Sequence, residues 1–268
     1  MRLRLLLLLM LIIPGRPAIS QVTRHHGVFW GRLVLADKLT EKLKWELYLQ
    51  KRTQNIPGEK SIFGASHFSS VWFWLNYSVS KNLRLSVSPF GYFDSYAFLT
   101  EPGDVDIPGV KEFRWTARLE QEQKFRIFKF SNRYGVEYRR RDLLHNSDYQ
   151  PNWRIRYMAK LEKSVPGILK NKPVSFFLTD EVFIQFGKAV RQYPNVFDQN
   201  RISAGFSVDL LRNIKISASY LNIIQERLNG RDFDDAHSLW VVLTLDNLFS
   251  QFRPSPKKDL PKSETPLQ

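Results

Sequence analysis

Along most of this chain, apolar and polar side chains alternate with a period of two. Residues 43–50 set Leu43, Trp45, Leu47 and Leu49 against Lys44, Glu46, Tyr48 and Gln50. Residues 153–162 set Trp153, Ile155, Tyr157, Ala159 and Leu161 against Arg154, Arg156, Met158, Lys160 and Glu162. The same alternation runs through 112–120 and 201–210, and Leu239, Val241, Leu243 and Leu245 repeat it near the end. Period two is the mark of a strand with one apolar face. Eleven such segments lie near 27–36, 42–52, 67–80, 83–96, 111–125, 128–141, 151–163, 174–187, 199–210, 214–226 and 237–248. Most are longer than the roughly 5–6 residues usual in soluble sheets. They suit a tilted membrane strand, which needs about 9–11.

The connections alternate as well. Short turns follow odd segments, at Asp37 to Glu41, Ser80 to Asn82 and Leu211 to Asn213. Longer loops follow most even ones, as at 53–66, 97–110, 189–199 and 227–236. Short turns at one end and long loops at the other describe an all-β, antiparallel transmembrane barrel of the outer-membrane type. Such barrels close with an even number of strands, so the range is ten to twelve and twelve is the expectation. A soluble secreted or periplasmic β-sandwich binding protein is the alternative, because its strands alternate too. Residues 71–75 are apolar on both faces, which calls for something packed against the second face. Asn132 and Asp180 interrupt apolar faces without an evident reason.

Energy decides which face meets lipid. The polar face carries Arg114, Arg118, Glu120, Glu122, Arg133, Glu137, Arg139, Arg154, Arg156, Glu181 and Arg201. One Arg facing lipid at the midplane costs about 2–4 kcal/mol. Several would exceed the roughly 5–15 kcal/mol that keeps a domain folded. These residues are therefore expected to line the lumen, with Trp45, Trp115 and Trp153 on the lipid side. Seven Arg against four Glu leave the set net positive. Cross-strand Arg–Glu pairs then either fill the interior or border a narrow passage that favours anions.

The N-terminus reads as an export signal over residues 1–20. Arg2 and Arg4 precede the apolar run Leu5 to Ile13, and Ala18-Ile19-Ser20 offers a small-residue cleavage site. Residues 21–249 form the barrel domain, and 250–268, with four prolines, read as a disordered periplasmic tail. The formal charge of +14 falls to +11 when three leader arginines are removed. Export and the scatter of the basic residues argue against nucleic acid as a partner. The expected partners are outer-membrane lipid, the barrel-assembly machinery and a small anionic solute. The absence of cysteine excludes disulfides, thiolate chemistry and a lipoprotein anchor.

No enzymatic motif stands out, and no cofactor is expected. The histidines are His25, His26, His67, His145 and His237. His145 and His237 read as loop residues, and His25-His26 lack nearby metal-ligand company in sequence. His67 lies near Ser69 and Ser70, but no triad pattern surrounds it. The acidic stretch Asp232 to Asp235 lacks the turn glycine and trailing Glu of a calcium loop, so a solvated loop is expected there.

Several short patterns carry a family resemblance. Trp30, Lys38-Leu39-Thr40 and Lys44-Trp45-Glu46-Leu47 running to Arg52 resemble the opening hairpin of the DUF2490 family. Arg118-Leu119-Glu120-Gln121, Arg154-Ile155-Arg156-Tyr157, Glu181-Val182-Phe183 and Asp198-Gln199-Asn200-Arg201 before Gly205 are similar too, as is His237 with Trp240 to Leu245. The resemblance spans roughly 28–249. It implies an uncharacterised bacterial outer-membrane barrel, and it carries over no catalytic residue.

Overall fold

A computed structural model describes residues 22–169, 172–227 and 231–252. The export signal and nearly all of the tail lie outside the described residues. Eleven strands follow one another: β1 (Thr23–Lys38), β2 (Leu43–Gln54), β3 (Ala65–Ser80), β4 (Leu83–Ser95), β5 (Val110–Lys124), β6 (Lys129–Asp142), β7 (Gln150–Leu169), β8 (Lys172–Phe186), β9 (Phe197–Leu211), β10 (Ile214–Glu226) and β11 (Phe233–Leu245). Each pairs antiparallel with the next, and the sheet closes on itself between β1 and β11. The described residues contain three short 3-10 turns and no α-helix.

Two expectations are corrected by this closure. A β-sandwich is excluded, because one continuous sheet forms a closed barrel. The described residues form eleven strands, and the expected twelfth is not among them. The odd count is accommodated because β1 and β11 run parallel, in register from Thr23↔Phe233 to Leu35↔Leu245. The described chain therefore enters at the long-loop rim and leaves at the short-turn rim. There the segment after β11 folds back: Asp37 Oδ2 accepts the backbone N–H groups of Phe249 and Ser250 at 2.6 and 2.9 Å. The Phe249 ring packs 6.4 Å from Trp45.

Strand pleating puts alternate residues on opposite walls. The outward wall is apolar and open to the surroundings, with Leu85, Val87, Trp115, Val136, Trp153, Ile155, Leu178, Phe206, Tyr220 and Leu239 all exposed. Outward rings cluster toward both rims. Trp115, Tyr138 and Trp153 form a row on the long-loop side. Trp45 and Phe73 lie on the short-turn side. Asn132 and Asp180 do face outward, and each has a partner there. Tyr157 donates its hydroxyl to Asn132 at 2.7 Å, and Asn200 donates to Asp180 at 2.7 Å.

The second apolar face of β3 turns into the barrel. Trp72 and Trp74 are buried in the lumen and pack with Phe93, Tyr48 and Phe68. Room for this comes from β4, where pairing with β5 is interrupted between Ser88 and Tyr92. Pro89, which has no N–H for the ladder, sits in that interruption, as strand prolines do. Gly91 then passes so close that a Cβ there would lie 2.7 Å from Trp72 Cδ1.

Candidate functional site

The interior carries the concentration of chemistry. Its centre is a ladder of carboxylates and guanidinium groups contributed by β5 to β9. Glu112 accepts two hydrogen bonds from Arg139, at 2.8 and 2.7 Å, and pairs with Arg114 at 2.6 Å. Glu137 is fully buried and contacts Arg154 and Arg156 at 2.6 Å each and Arg114 at 3.4 Å. Glu181 holds Arg133 at 2.9 Å and Arg156 at 2.7 Å, and Asp198 holds Arg154 at 3.1 Å. Arg141 reaches Glu112 at 3.7 Å. Six arginines thus share four acids. Forked pairs of this kind fix both partners in orientation as well as in charge.

The opposite wall is aromatic. Trp30, Trp72, Trp74 and Phe93 point inward from β1, β3 and β4, and Phe183 joins them from β8. The arginines reach across to these rings. Arg118 lies 3.8 Å above Trp74, and Arg114 lies 3.8 Å above Phe93. Arg52 sits between Trp30 at 3.4 Å and Phe68 at 4.3 Å. Arg201 rests over Phe183 at 4.6 Å and Trp30 at 5.2 Å and donates to Gln199. Arg32 donates to Gln50 and stacks near Tyr48 and Trp240. Among the described residues, no carboxylate lies within ion-pair distance of Arg32, Arg52 or Arg201. A cation over a ring face is attracted by the ring quadrupole, so these charges are supported without an acid.

This layer divides the lumen. On the short-turn side lies a cavity of about 350 Å³, bordered by Glu46, Lys160, Lys215 and Thr244. On the long-loop side a vestibule of about 1170 Å³ is bordered by Arg24, Arg141, Lys188, Arg191 and Arg227. Trp30, Arg32, Trp72, Arg156 and Arg201 border both and form the waist between them. The loop after β4 folds into the vestibule. Phe98 is buried there, stacked 4.6 Å from the His26 ring and 4.2 Å from the His67 ring. Gln54 anchors this loop through its amide, donating to Ala97 O and accepting from Leu99 N–H.

All eleven charged residues singled out from sequence lie on strand positions of the inward phase. Arg114, Arg133, Glu137, Arg139, Arg154, Arg156, Glu181 and Arg201 belong to the waist. Arg118 and Glu120 sit below it, Glu120 paired with Arg84 at 2.7 Å. Glu122 lies at the short-turn rim with Lys129 at 3.5 Å. Sequence reasoning left Glu112, Asp198, Arg32 and Arg52 out of the lumen-lining set, although Glu112 opens the polar face of the 112–120 alternation. Glu112 is in phase with Arg114 and Glu120 on the same strand, so the alternation itself could have found it. Trp30 gave no such signal, and Trp72 and Trp74 showed only as a second apolar face on β3.

Two readings of the loops are corrected. His237 is a strand residue of β11, because β11 begins at Phe233 and not after Ala236. For the same reason Asp234 and Asp235 point to opposite walls and do not form one solvated loop. Asp234 faces inward, bonded to His26 at 2.8 Å and Arg227 at 2.6 Å, while Asp235 faces outward beside His25 and His237. His67 is buried against Phe98, whereas Ser69 faces the other way and accepts from Lys51.

Comparison with known proteins leaves the site without an assigned chemistry. No curated protein and no solved structure matches the chain. One family profile, described as a protein of unknown function (DUF2490), matches residues 28–234. That span contains all of β2 to β10 and every residue of the arginine ladder, so this chain belongs to the DUF2490 family.

Proposed function

We infer that the protein is a bacterial outer-membrane barrel that takes small anions into a basic vestibule and closes at its waist in the resting state. The observation that carries this reading is the reversed polarity of the wall. Large apolar side chains from successive strands stand exposed on the outside, while charge is gathered within. Water-soluble monomers rarely expose a continuous apolar patch beyond a few hundred Å². A closed barrel has no strand edge and can cross hydrocarbon with every ladder hydrogen bond internal. Export, outer-membrane lipid and the barrel-assembly machinery follow as the route, surroundings and helper of such a chain.

Anions are favoured by the imbalance at the waist. Six arginines share four carboxylates, and three further arginines rest on rings and amides. The buried polar atoms without a hydrogen-bond partner at and near the waist are mostly donors: Nε of Arg52, Arg118 and Arg141, and the indole nitrogens of Trp30, Trp72 and Trp74. Only an acceptor satisfies them, either water or an anion. Arginine rings favour anions in pores.

Conductance of the full-length protein in planar bilayers tests both parts. The unmodified barrel is expected to show small or no conductance. Arg154→Ser with Arg156→Ser opens the waist and raises conductance, with weakened anion preference. Salt reduces whatever preference remains, because screening shortens the reach of the fixed charges. Large, steady, cation-selective conductance in the unmodified protein overturns the reading. No conductance from either form leaves a sealed structural barrel. Recovery of the mature protein in the soluble fraction without detergent removes the membrane from the account.

A further inference from the structure

The parallel seam that closes the barrel carries an outward cluster that plays no part in the lumen. His25 on β1 stands directly across from Asp235 on β11, and His237 follows two residues later on the same face. His25 Nδ1 lies 3.2 Å from Asp235 Oδ2, and His237 Nε2 lies 3.5 Å from the same oxygen. One donor atom from each residue falls within 4.8 Å of the other two. The two imidazole rings stack with centroids 5.7 Å apart. Both histidines are well exposed, at 66% and 45%, so an ion can reach them from outside.

Neighbours on β10 occupy the other atom of two of these groups. Tyr220 Oη is 2.6 Å from His237 Nδ1, which leaves Nε2 to face Asp235. Asn222 donates to Asp235 Oδ1 at 2.5 Å, which leaves Oδ2 to face the histidines. Partners on the far side of a ligand, fixing its tautomer and direction, are the usual support of a metal site. A bare ion pair between a histidine and an aspartate requires neither.

We propose that His25, Asp235 and His237 bind a divalent transition cation of the zinc class, clipping the first strand of the barrel to the last. Two imidazoles and one carboxylate are borderline ligands that suit zinc, copper or nickel and do not suit magnesium or calcium. Three protein ligands leave a further position for water. The ion would tie together residues about 210 positions apart in sequence. It does so at the barrel's one parallel pairing, a mode slightly less stable per residue than the antiparallel one.

The test uses the full chain refolded in detergent, with zinc chloride titrated against a chromophoric chelator and urea unfolding followed with zinc and with EDTA. The expected result is one tightly bound zinc and a raised unfolding midpoint. At free zinc 100 times its Kd, linkage multiplies the folded-to-unfolded ratio by about 100. His25→Gln and His237→Gln abolish the zinc-dependent shift while unfolding in EDTA as wild type does, which separates lost binding from lost folding. Tyr220→Phe, which keeps all three ligands, weakens zinc about 10–100-fold. His26, His67 and His145 remain in every variant and serve as the background. Equal zinc affinity in wild type and His237→Gln overturns the proposal, as does a midpoint that zinc does not move. Unchanged binding in Tyr220→Phe overturns it as a built site.

Discussion

The two halves of the lumen wall stabilise buried arginine in different ways. On β5 to β7 the six ladder guanidinium groups find carboxylates: Glu137 alone contacts three arginines and is fully buried. Arg201 on β9 rests on rings instead. On β1 to β4 the inward face carries Trp30, Phe68, Trp72, Trp74 and Phe93, and arginines lie on ring faces. The charged half obeys strict neutralisation rules, since removing one partner strands the others in a low-dielectric interior. The aromatic half is more tolerant, since a ring loses a contact and not a counter-charge. Rigidity should therefore reside in the first half and adaptability in the second.

Breaking the charged half gives the largest effect. Glu137→Gln leaves Arg114, Arg154 and Arg156 with an uncharged neighbour of the same shape. Breaking a buried pair costs about 3–5 kcal/mol. Urea unfolding in detergent should show that loss, and folding yield should fall with it. A loss under about 1 kcal/mol would mean that water reaches Glu137 and that the ladder is looser than its contacts imply.

Breaking the aromatic half should cost less. Trp30→Leu keeps an apolar side chain but removes the ring under Arg52 and Arg201. A desolvated cation–π contact is worth about 2 kcal/mol. The same unfolding measurement should fall by about that amount, less than for Glu137→Gln. An equal or larger loss would erase the distinction between the halves.

The two halves also differ in how legible they were in the sequence. Charge at period two has one affordable direction in a membrane barrel, so Arg154, Arg156 and Glu181 could be placed by energy alone. Which arginine meets which acid could not, because partners such as Glu181 and Arg133 are 48 residues apart and depend on register. Tryptophan is acceptable to lipid, to the rim and to a filled lumen, so alternation says nothing about Trp30, and Trp72 and Trp74 showed only that β3 has two apolar faces. Strand existence was readable throughout. Strand number was not, because parity assumed an antiparallel seam, and the parallel pairing of β1 with β11 is a contact between the two ends of the chain. The grouping of His25 with Asp235 and His237 was hidden for the same reason.

The smallest effect sharpens the comparison at the vestibule, where the loop after β4 lays Phe98 over the aromatic half. Asp104 secures that loop. Its carboxylate accepts the N–H of Thr100 at 2.7 Å, the Thr100 hydroxyl at 2.8 Å and the N–H of Glu101 at 3.1 Å. These bonds to the Thr100 backbone, the Thr100 hydroxyl and the Glu101 backbone hold its pKa below the ordinary 3.8. A carboxyl with a depressed folded pKa contributes its stability above the unfolded value and loses it as pH falls through the folded one. The loop tether is therefore at full strength at neutral pH and weakens only in acid, below about pH 4. Amide hydrogen exchange reads this locally. Thr100 and Glu101 should be better protected in wild type than in Asp104→Ala at pH 7, and that difference should vanish in acid. The ladder amides around Glu137 should be unaffected by the substitution at either pH. If Asp104→Ala loosened the ladder as well, the loop and the charged half would be one cooperative unit, and the division between an adaptable and a rigid wall would fail at its upper edge.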